Sequence, residues 1–247
     1  MIQLEKFMDR WGNQVGQYVF ARSLAYHLGV ELQTPQWAGQ EIFNINDPPI
    51  VEKLPSLAYN EIPATSGYAV HGHFQNQRSF DYISRSQART WLRVRPEILK
   101  LCRKPKNGYI ACHLRRGDYA KHFNSHYAVI DKVCYQKALS KFGYREKDVI
   151  WFTEEVKQPG YNKLPWHLQF VHDFVLIMQA DVVFRANSTY SYWAAALGNS
   201  KVYSPLVEDR SGFCNDIEFV EGFSPRNFSR KNMPWVSGED NNMEMRP

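Results

Sequence analysis

The second half of the chain alternates short apolar runs with amphipathic segments, and this alternation restricts the fold more than any other feature. Apolar runs predict strands at residues 109–114, 149–152, 168–171, 182–184 and 201–203. Apolar residues at helical spacing predict helices over residues 131–142, 173–180 and 189–197. Strands that alternate with helices form a parallel sheet covered on both faces, so we predict an α/β fold.

The first half of the chain carries weaker signals. Short apolar runs predict strands at residues 2–4 and 30–32, and apolar residues at helical spacing from Val15 to Leu28 predict a helix between them. Asn13 is expected to cap that helix, because asparagine side chains accept hydrogen bonds from the first free amides of a helix. Residues 33–70 are rich in proline, asparagine and glycine and are expected to be irregular.

A loop rich in lysine, proline and glycine at residues 104–108 marks a candidate domain boundary. Apolar residues between positions 80 and 99 predict one or two helices in front of it. We therefore predict an N-terminal domain over residues 1–105 and a C-terminal domain over residues 106–247. The polar stretch after Trp235 is expected to be loosely packed.

Composition narrows the class of protein. The chain has 247 residues, of which 44% are hydrophobic and 22% charged, as in a globular protein. The net charge of +5 is modest and no dense basic segment occurs, so a nucleic-acid partner is not expected. No apolar run approaches the roughly 20 residues that span a bilayer, and no secretory signal begins the chain. Four scattered cysteines are expected to be free thiols. These observations together favour a cytoplasmic location.

The segment His113–Tyr119 carries the most chemical information. It follows the apolar run at residues 109–112 and contains two adjacent arginines, a glycine and an aspartate. Arginine offers a planar fork of donors to phosphate oxygens, and strand ends of parallel sheets are where ligands bind. We interpret the segment as a phosphate or pyrophosphate site. An exposed Arg-Gly-Asp adhesion loop and a solvated basic pair are the alternatives.

A second candidate lies at residues 187–193, where hydroxyl and amide side chains follow a strand and open a helix. Free amides at a helix N-terminus attract anions, although Asn, Ser and Thr also cap helices without any ligand. Asp173 begins a predicted helix and either caps it or accepts hydrogen bonds from a base or sugar. His71 and His73 flank Gly72, but no third metal ligand is indicated, so a metal site is not expected.

Four segments together resemble one family. Gly12-Asn13-Gln14, Gly72–Gln75, His113–Tyr119 and Asn187–Trp193 are similar, in order and spacing, to motifs of the alpha-1,2-fucosyltransferases of glycosyltransferase family 11. The resemblance implies a GT-B-like fold of two Rossmann-like domains that face a cleft. It implies an acceptor-side domain at residues 1–105 and a GDP-sugar-binding domain at residues 106–247.

The resemblance also implies the reaction. GDP-fucose would be the donor, and a glycan hydroxyl, such as the 2-OH of galactose, the acceptor. Transfer would invert the anomeric centre without a metal or other cofactor. Negative charge grows on GDP in such a transfer, and no Asp-x-Asp pair is present to hold a metal, so two fixed arginines would stabilise it.

Residue roles follow from the same resemblance. Arg115 and Arg116 would hold the pyrophosphate, with Arg115 the more critical, and Asp118 would join them in the catalytic group. His113 and Asp173 would contact the guanine end. The donor phosphates would also meet Asn187, Ser188, Thr189 and Ser191.

The sequence leaves the general base open, with Asp118, His73 and Glu154 as candidates. It departs from the family at Asp9-Arg10-Trp11, where Gly-Gly-Leu is usual, and at Thr153-Glu154-Glu155, where Ser-Asp-Asp is usual. No membrane anchor is seen, so a bacterial or viral type of member is the better match. A transferase for another GDP-sugar and a non-catalytic nucleotide- or glycan-binding module are the alternatives. The oligomeric state is not indicated.

Overall fold

The structure, a computed structural model, describes residues 1–121, 127–207 and 210–223. The chain divides into two compact units, one over Met1–Ile98 and one that begins at Leu99. The assignment of an acceptor-side and a donor-side domain to the two halves stays a prediction. The polar stretch after Trp235 lies outside the described residues.

The first unit contains a three-stranded parallel sheet with β1 in the middle, in the order β2-β1-β3. Its strands are β1 (Ile2–Leu4), β2 (Leu32–Gln33) and β3 (Tyr68–Val70). The helices in this part of the chain are α1 (Trp11–His27), α2 (Gly39–Ile42), α3 (Gln77–Phe80), α4 (Arg85–Trp91) and α5 (Pro96–Leu101).

Helix α1 begins at Trp11, ahead of Asn13, so the predicted Asn13 cap is wrong. Arg10 is the N-cap and forms no side-chain cap, while the Asn13 amide donates to the Asp9 carboxylate at 3.1 Å. The predicted second strand also begins later, because Val30 still donates its N–H to the Ala25 carbonyl at the end of α1 (2.9 Å). Strand pairing therefore starts at Leu32.

The second unit contains a five-stranded sheet in the order β10-β8-β7-β4-β6, parallel except for β10. Its strands are β4 (Ile110–His113), β6 (Val149–Phe152), β7 (Val182–Phe184), β8 (Lys201–Pro205) and β10 (Phe219–Glu221), and a separate pair joins β5 (Ala128–Ile130) to β9 (Gly212–Cys214). The α-helices are α6 (Gly117–Lys121), α7 (Lys132–Lys141), α8 (Val171–Gln179) and α9 (Thr189–Leu197), and 3₁₀ turns occupy Glu146–Asp148, Tyr161–Lys163 and Trp166–Leu168.

The predicted strand at residues 168–171 is wrong. Leu168 donates its N–H to the Pro165 carbonyl at 2.8 Å, and His172 donates to the Gln169 carbonyl at 3.1 Å. These local bonds form successive turns that lead into α8, so the backbone groups are not available to a sheet. A short apolar run does not by itself distinguish a strand from a buried helix start. Asp173 consequently lies in the first turn of α8, whose N-cap is Phe170, and does not cap the helix.

Strand β4 occupies the point at which the strand order reverses. From β4 the chain passes through α7 to β6 on one side, then through α8 to β7 on the other side, and through α9 to β8. In an open parallel sheet, the connections after such a strand diverge and leave a crevice at its carboxyl end. The arginine pair follows β4 and is therefore placed at the edge where ligands bind.

An aromatic cluster fills one side of the second sheet. The buried Phe184 ring stacks on Tyr203 with centroids 4.5 Å apart, and Phe142 lies 4.3 Å from the same tyrosine. Tyr144 and Phe219 meet Phe184 edge-on at 5.8 and 5.7 Å. Because Phe184 ends β7, this cluster fixes the strand that leads into the candidate site.

We expect Phe184→Ala to lower the free energy of unfolding by about 3–5 kcal/mol, since it leaves a cavity among aromatic rings. Phe213→Ala is the matched control, because the Phe213 side chain is 66% exposed. The control should change stability by no more than about 0.5 kcal/mol. Urea unfolding of both variants measures the difference, and equal losses would contradict this account of the core.

Candidate functional site

Arg115 is held by two carboxylates at the carboxyl end of β4. Its guanidinium donates to the side chains of Glu154 and Asp118 and lies 5.0 Å from the centroid of the Tyr119 ring. Only 13% of the Arg115 side chain is exposed. The guanidinium plane is therefore fixed in position before any ligand binds, as pre-organised anion recognition requires.

Glu154 connects the ends of two neighbouring strands. One of its oxygens accepts from the Arg115 guanidinium, and the other accepts from the backbone N–H of Arg116 at 3.1 Å. Gly117 permits this approach, because a Cβ there would lie 3.0 Å from the Glu154 carboxylate and its φ of +27° disfavours other residues. The carboxylate after β6 thus fixes the path of the chain after β4.

Arg116 differs from its neighbour. Within residues 1–121, 127–207 and 210–223, its guanidinium forms no hydrogen bond or ion pair, and the residue is half-buried. Its backbone is nevertheless fixed by Glu154. A cation that is held at its base and uncommitted at its tip is suited to bind an incoming anion.

Asp118 lies in the first turn of α6, with its carboxylate on Arg115. Asp118 therefore holds the Arg115 guanidinium in position. Glu154 is engaged in the same way, so two of the three candidates for the general base neutralise an arginine. A base function for either one stays a prediction.

His113 ends β4 and is buried. Burial, together with the nearby Arg115 charge, lowers the pKa of His113 to about 3, so its imidazole is neutral at physiological pH. The ring faces Tyr190 at 5.6 Å, and its Nδ1 has no hydrogen-bond partner among the described residues. The Tyr135 hydroxyl donates to the His113 carbonyl at 2.7 Å and secures the strand end.

The loop between β7 and α9 lies at the same edge. Ser188 is the N-cap of α9, and its hydroxyl accepts from the Tyr190 N–H at 3.3 Å, which confirms the capping interpretation. The buried Ser191 hydroxyl accepts from the Ala186 N–H at 3.2 Å, so it shapes the loop from inside. Thr189 is the first helical residue.

Asn187 ties this loop to its surroundings. Its side-chain amide donates to the Ala128 carbonyl at 3.0 Å, and its backbone carbonyl accepts from the Tyr119 hydroxyl at 3.3 Å. The arginine segment and the helix α9 loop are thereby joined. Direct contact of Asn187, Ser188, Thr189 and Ser191 with phosphate stays a prediction.

Asp173 lies nearby on α8, next to the fully buried His172, whose Nδ1 is 3.3 Å from the Asp173 carboxylate. Tyr190 packs between the His113 ring and Phe174 of α8. Burial and the Asp173 charge raise the pKa of Tyr190 well above its ordinary value, and its hydroxyl donates to the Phe170 carbonyl at 2.8 Å. Tyr190 of α9 thus links the carboxyl end of β4 to the N-terminal part of α8.

A second polar cluster lies in the first unit, where the chain leaves β1 and β3. The Asp9 carboxylate is 2.5 Å from His73 Nε2, and the Tyr59 hydroxyl bonds to His73 Nδ1. The third candidate base, His73, therefore has a carboxylate on one nitrogen and a phenol on the other.

Other kinds of site are not indicated by the described residues. Among them, no group of three histidine, cysteine, aspartate or glutamate side chains could hold a metal ion. All four cysteines are free and buried. No helix in the described part of the chain is long and apolar enough to cross a membrane.

The sequence interpretation missed Tyr119 and Tyr190 as site residues. Both belong to the motifs already quoted, but a tyrosine within a motif resembles any core aromatic residue. Only the sheet topology brings Tyr190 against His113, 77 positions away in the sequence. No local signal in the sequence would have revealed these contacts.

Comparisons with known proteins agree with this geometry. The sequence model described as Glycosyl transferase family 11 matches residues 52–205, more than half of the chain. A search of curated protein sequences gives no significant match.

The fold of this chain is similar to those of several solved structures. One is described as NodZ alpha-1,6-fucosyltransferase soaked with GDP-fucose. It is 12% identical, has a TM-score of 0.55, and the match covers 90% of this chain and 99% of that one. Fucosyltransferase NodZ from Bradyrhizobium is 11% identical with a TM-score of 0.51, covering 89% and 98% of the two chains. These structures have a GT-B-like fold, which confirms the predicted α/β, GT-B-like fold.

The neutral His113 predicts a loss of stability in acid. Its pKa is 6.5 in an unfolded chain and about 3 in the protein. Between these values the unfolded chain binds one proton more, so stability falls as the pH falls, by about 2 kcal/mol from pH 7 to pH 5. His113→Phe should remove this share of the loss. Urea unfolding at the two pH values tests it, and the same loss in the variant as in wild type would contradict the prediction.

Proposed function

The chain belongs to glycosyl transferase family 11, and from this we propose that it transfers fucose from GDP-fucose to a hydroxyl of a glycan, with inversion. The observation that carries the proposal is the pair Arg115 and Arg116 at the carboxyl end of β4. One guanidinium is pre-positioned by Glu154 and Asp118, and the other is uncommitted among the described residues.

The donor's pyrophosphate fits this edge of the sheet. Bond cleavage leaves an additional negative charge on GDP, which must be stabilised as it forms. Arg116 would meet this charge directly, and Arg115 would add a second fixed cation beside it. Helix α9 begins at the same edge with Thr189, and the positive end of a helix dipole favours phosphate oxygens.

The guanine end of the donor would be contacted by His113 and Asp173. A carboxylate accepts two adjacent N–H groups, as the guanine edge presents them. A neutral imidazole offers one donor and one acceptor, which suits an uncharged base better than a phosphate. The low pKa of His113 therefore supports a binding function over acid–base catalysis.

Metal independence is part of the proposal. The sequence has no Asp-x-Asp pair, and the arginine pair supplies positive charge where a metal would otherwise act. Transfer that continues at full rate in excess chelator would support this, and activity restored only by a divalent cation would overturn it. No cofactor other than the donor substrate is proposed.

The 2-OH of galactose is the proposed acceptor position, on the resemblance of four segments to alpha-1,2-fucosyltransferases. One structural relative is described as an alpha-1,6-fucosyltransferase, so the linkage needs a direct test. Two acceptors that are identical except that one ends in galactose and the other in 2-deoxygalactose decide the linkage. Transfer to galactose and none to the deoxy analogue would support the 2-linkage, while equal transfer would place the bond elsewhere.

We expect Arg116→Ala to lower kcat about 10²–10³-fold, since it removes one group that stabilises developing charge. Arg145→Ala is the control, because that arginine is exposed and pairs with Asp148 on the surface. GDP release from GDP-fucose with galactose-ended acceptors measures both.

Acceptor-dependent release by wild type that persists in Arg116→Ala would contradict the assignment of the site. Release only from another GDP-sugar would replace fucose as the donor. GDP binding without release from any GDP-sugar and acceptor would favour a non-catalytic binding module.

Glu154→Gln tests whether Glu154 positions the arginine pair. The amide cannot neutralise Arg115, so the guanidinium and the Arg116 backbone should lose their fixed position. We expect kcat/KM for GDP-fucose to fall about 10–100-fold. Glu155→Gln, one residue further on the same loop, serves as the control, and similar losses in both variants would contradict the role of Glu154.

A further inference from the structure

Arg185 is the first residue after β7, and its side chain is completely buried. Arginine is rarely buried in full, because removing its charge from water costs much free energy. Burial lowers the pKa of Arg185 to about 10, so the guanidinium stays charged at neutral pH although its surroundings disfavour the charge. A buried charge of this kind adds little to stability by itself, and its contacts indicate what it does instead.

The Arg185 guanidinium binds groups from separate parts of the second unit. Its Nε–H donates to the Ser204 hydroxyl of β8 at 2.7 Å, and that hydroxyl donates to the Gly222 carbonyl at 2.6 Å. Its central carbon lies 5.1 Å from the centroid of the Tyr192 ring of α9 and 5.8 Å from that of Phe223. These contacts orient the guanidinium, and none of these four groups carries a negative charge.

The same side chain fixes the start of the loop between β7 and α9. Nη1 of Arg185 donates to the Ala186 carbonyl at 3.4 Å, while the Ala186 N–H donates to the Ser191 hydroxyl at 3.2 Å. Both backbone groups of Ala186 are thus engaged, and the contacts of Asn187 continue the restraint. The backbone that leads to Ser188, the N-cap of α9, is therefore set from inside the protein by Arg185.

Arg185 lies beside the arginine segment in the sheet. Strands β4 and β7 pair in parallel, and their last paired residues are Cys112 and Phe184. The next residues are His113 and Arg185, so both leave the sheet at the carboxyl edge, where ligands bind. Water screens a buried charge much less than an exposed one. The Arg185 charge can therefore attract an anion at this edge without touching it.

We propose that Arg185 is a positioning residue of the donor site, which sets the backbone at residues 186–188 and holds a fixed positive charge at the edge that receives the diphosphate. The proposal rests on the proposed use of GDP-fucose and adds a residue to that site. The segment that resembles the family motif begins at Asn187, so the resemblance gives no function to Arg185. Its function follows only from its burial and its contacts.

The two halves of the donor separate this function from a merely structural one. GDP and guanosine share the guanine and the ribose and differ by the two phosphates. A residue that acts through the loop and through its charge affects the affinity for GDP and leaves the affinity for guanosine unchanged. A residue that only stabilises the fold affects both ligands, because Tyr190 of α9 also packs against His113 at the proposed guanine end.

The test measures the dissociation constants of GDP and guanosine for wild type and Arg185→Met by titration calorimetry. We expect the value for GDP to rise about 10–100-fold, as when a group that orients a metal ligand is lost, and the value for guanosine to stay within threefold. Urea unfolding should show that the variant folds, because an apolar side chain in place of a buried charge is often neutral or stabilising. Arg145→Met, at an exposed arginine, is the control and should leave both values within threefold.

Ser204→Ala is a milder second variant, which decides the question if Arg185→Met does not fold. It removes the hydroxyl that orients Nε and keeps the charge, so we expect GDP binding to weaken about 3–10-fold and guanosine binding to stay unchanged.

In a folded variant, GDP binding as tight as in wild type, or equal losses for GDP and guanosine, would overturn the positioning function of Arg185. Wild-type transfer is intact in these cases, and the proposed function stands. Wild type that does not bind GDP would instead overturn the proposed function and this inference together.

Discussion

The carboxylate of Glu154 is the interaction on which the candidate donor site depends. It reaches from the end of β6 to the end of β4, where it bonds to the Arg115 guanidinium and the Arg116 N–H together. Two arginines side by side repel each other and would otherwise turn toward solvent. One carboxylate shared by a side chain and a backbone group fixes their relative orientation, and Gly117 supplies the space for it.

This arrangement gives the two arginines different roles. Arg115 is paired with two carboxylates, so it adds less net positive charge than Arg116, while its carboxylate and ring contacts hold its guanidinium in a fixed position. Arg116 carries the uncompensated charge among the described residues. The resemblance had suggested that Arg115 is the more critical, which remains compatible with this view, because removing the rigid base would also displace Arg116. Substitution of either arginine is thus expected to lower activity, but for a different reason in each case.

Much of the fold was predictable from the sequence because its signals are local. Apolar runs predicted β4, β6, β7 and β8, and helical spacing predicted α7, α8 and α9 within a few residues. The errors came where local patterns are ambiguous: residues 168–171 are apolar whether they form a strand or the turns before α8. The pair β5–β9 joins segments 84 positions apart, Ala128 with Gly212, and nothing local marks either strand as a partner of the other.

The candidate site shows more clearly that local patterns do not reveal contacts between distant segments. Motifs identified His113, Arg115, Arg116 and Asp118, because their chemistry and spacing lie within one segment. Glu154 was named only as a candidate base, because nothing local marks it as the partner of Arg115 until the sheet places β6 beside β4. The chain from Asp9 through His73 to Tyr59 is the extreme case. Its residues lie at positions 9, 73 and 59, and the parallel pairing of β1 with β3 places the segments that carry Asp9 and His73 side by side.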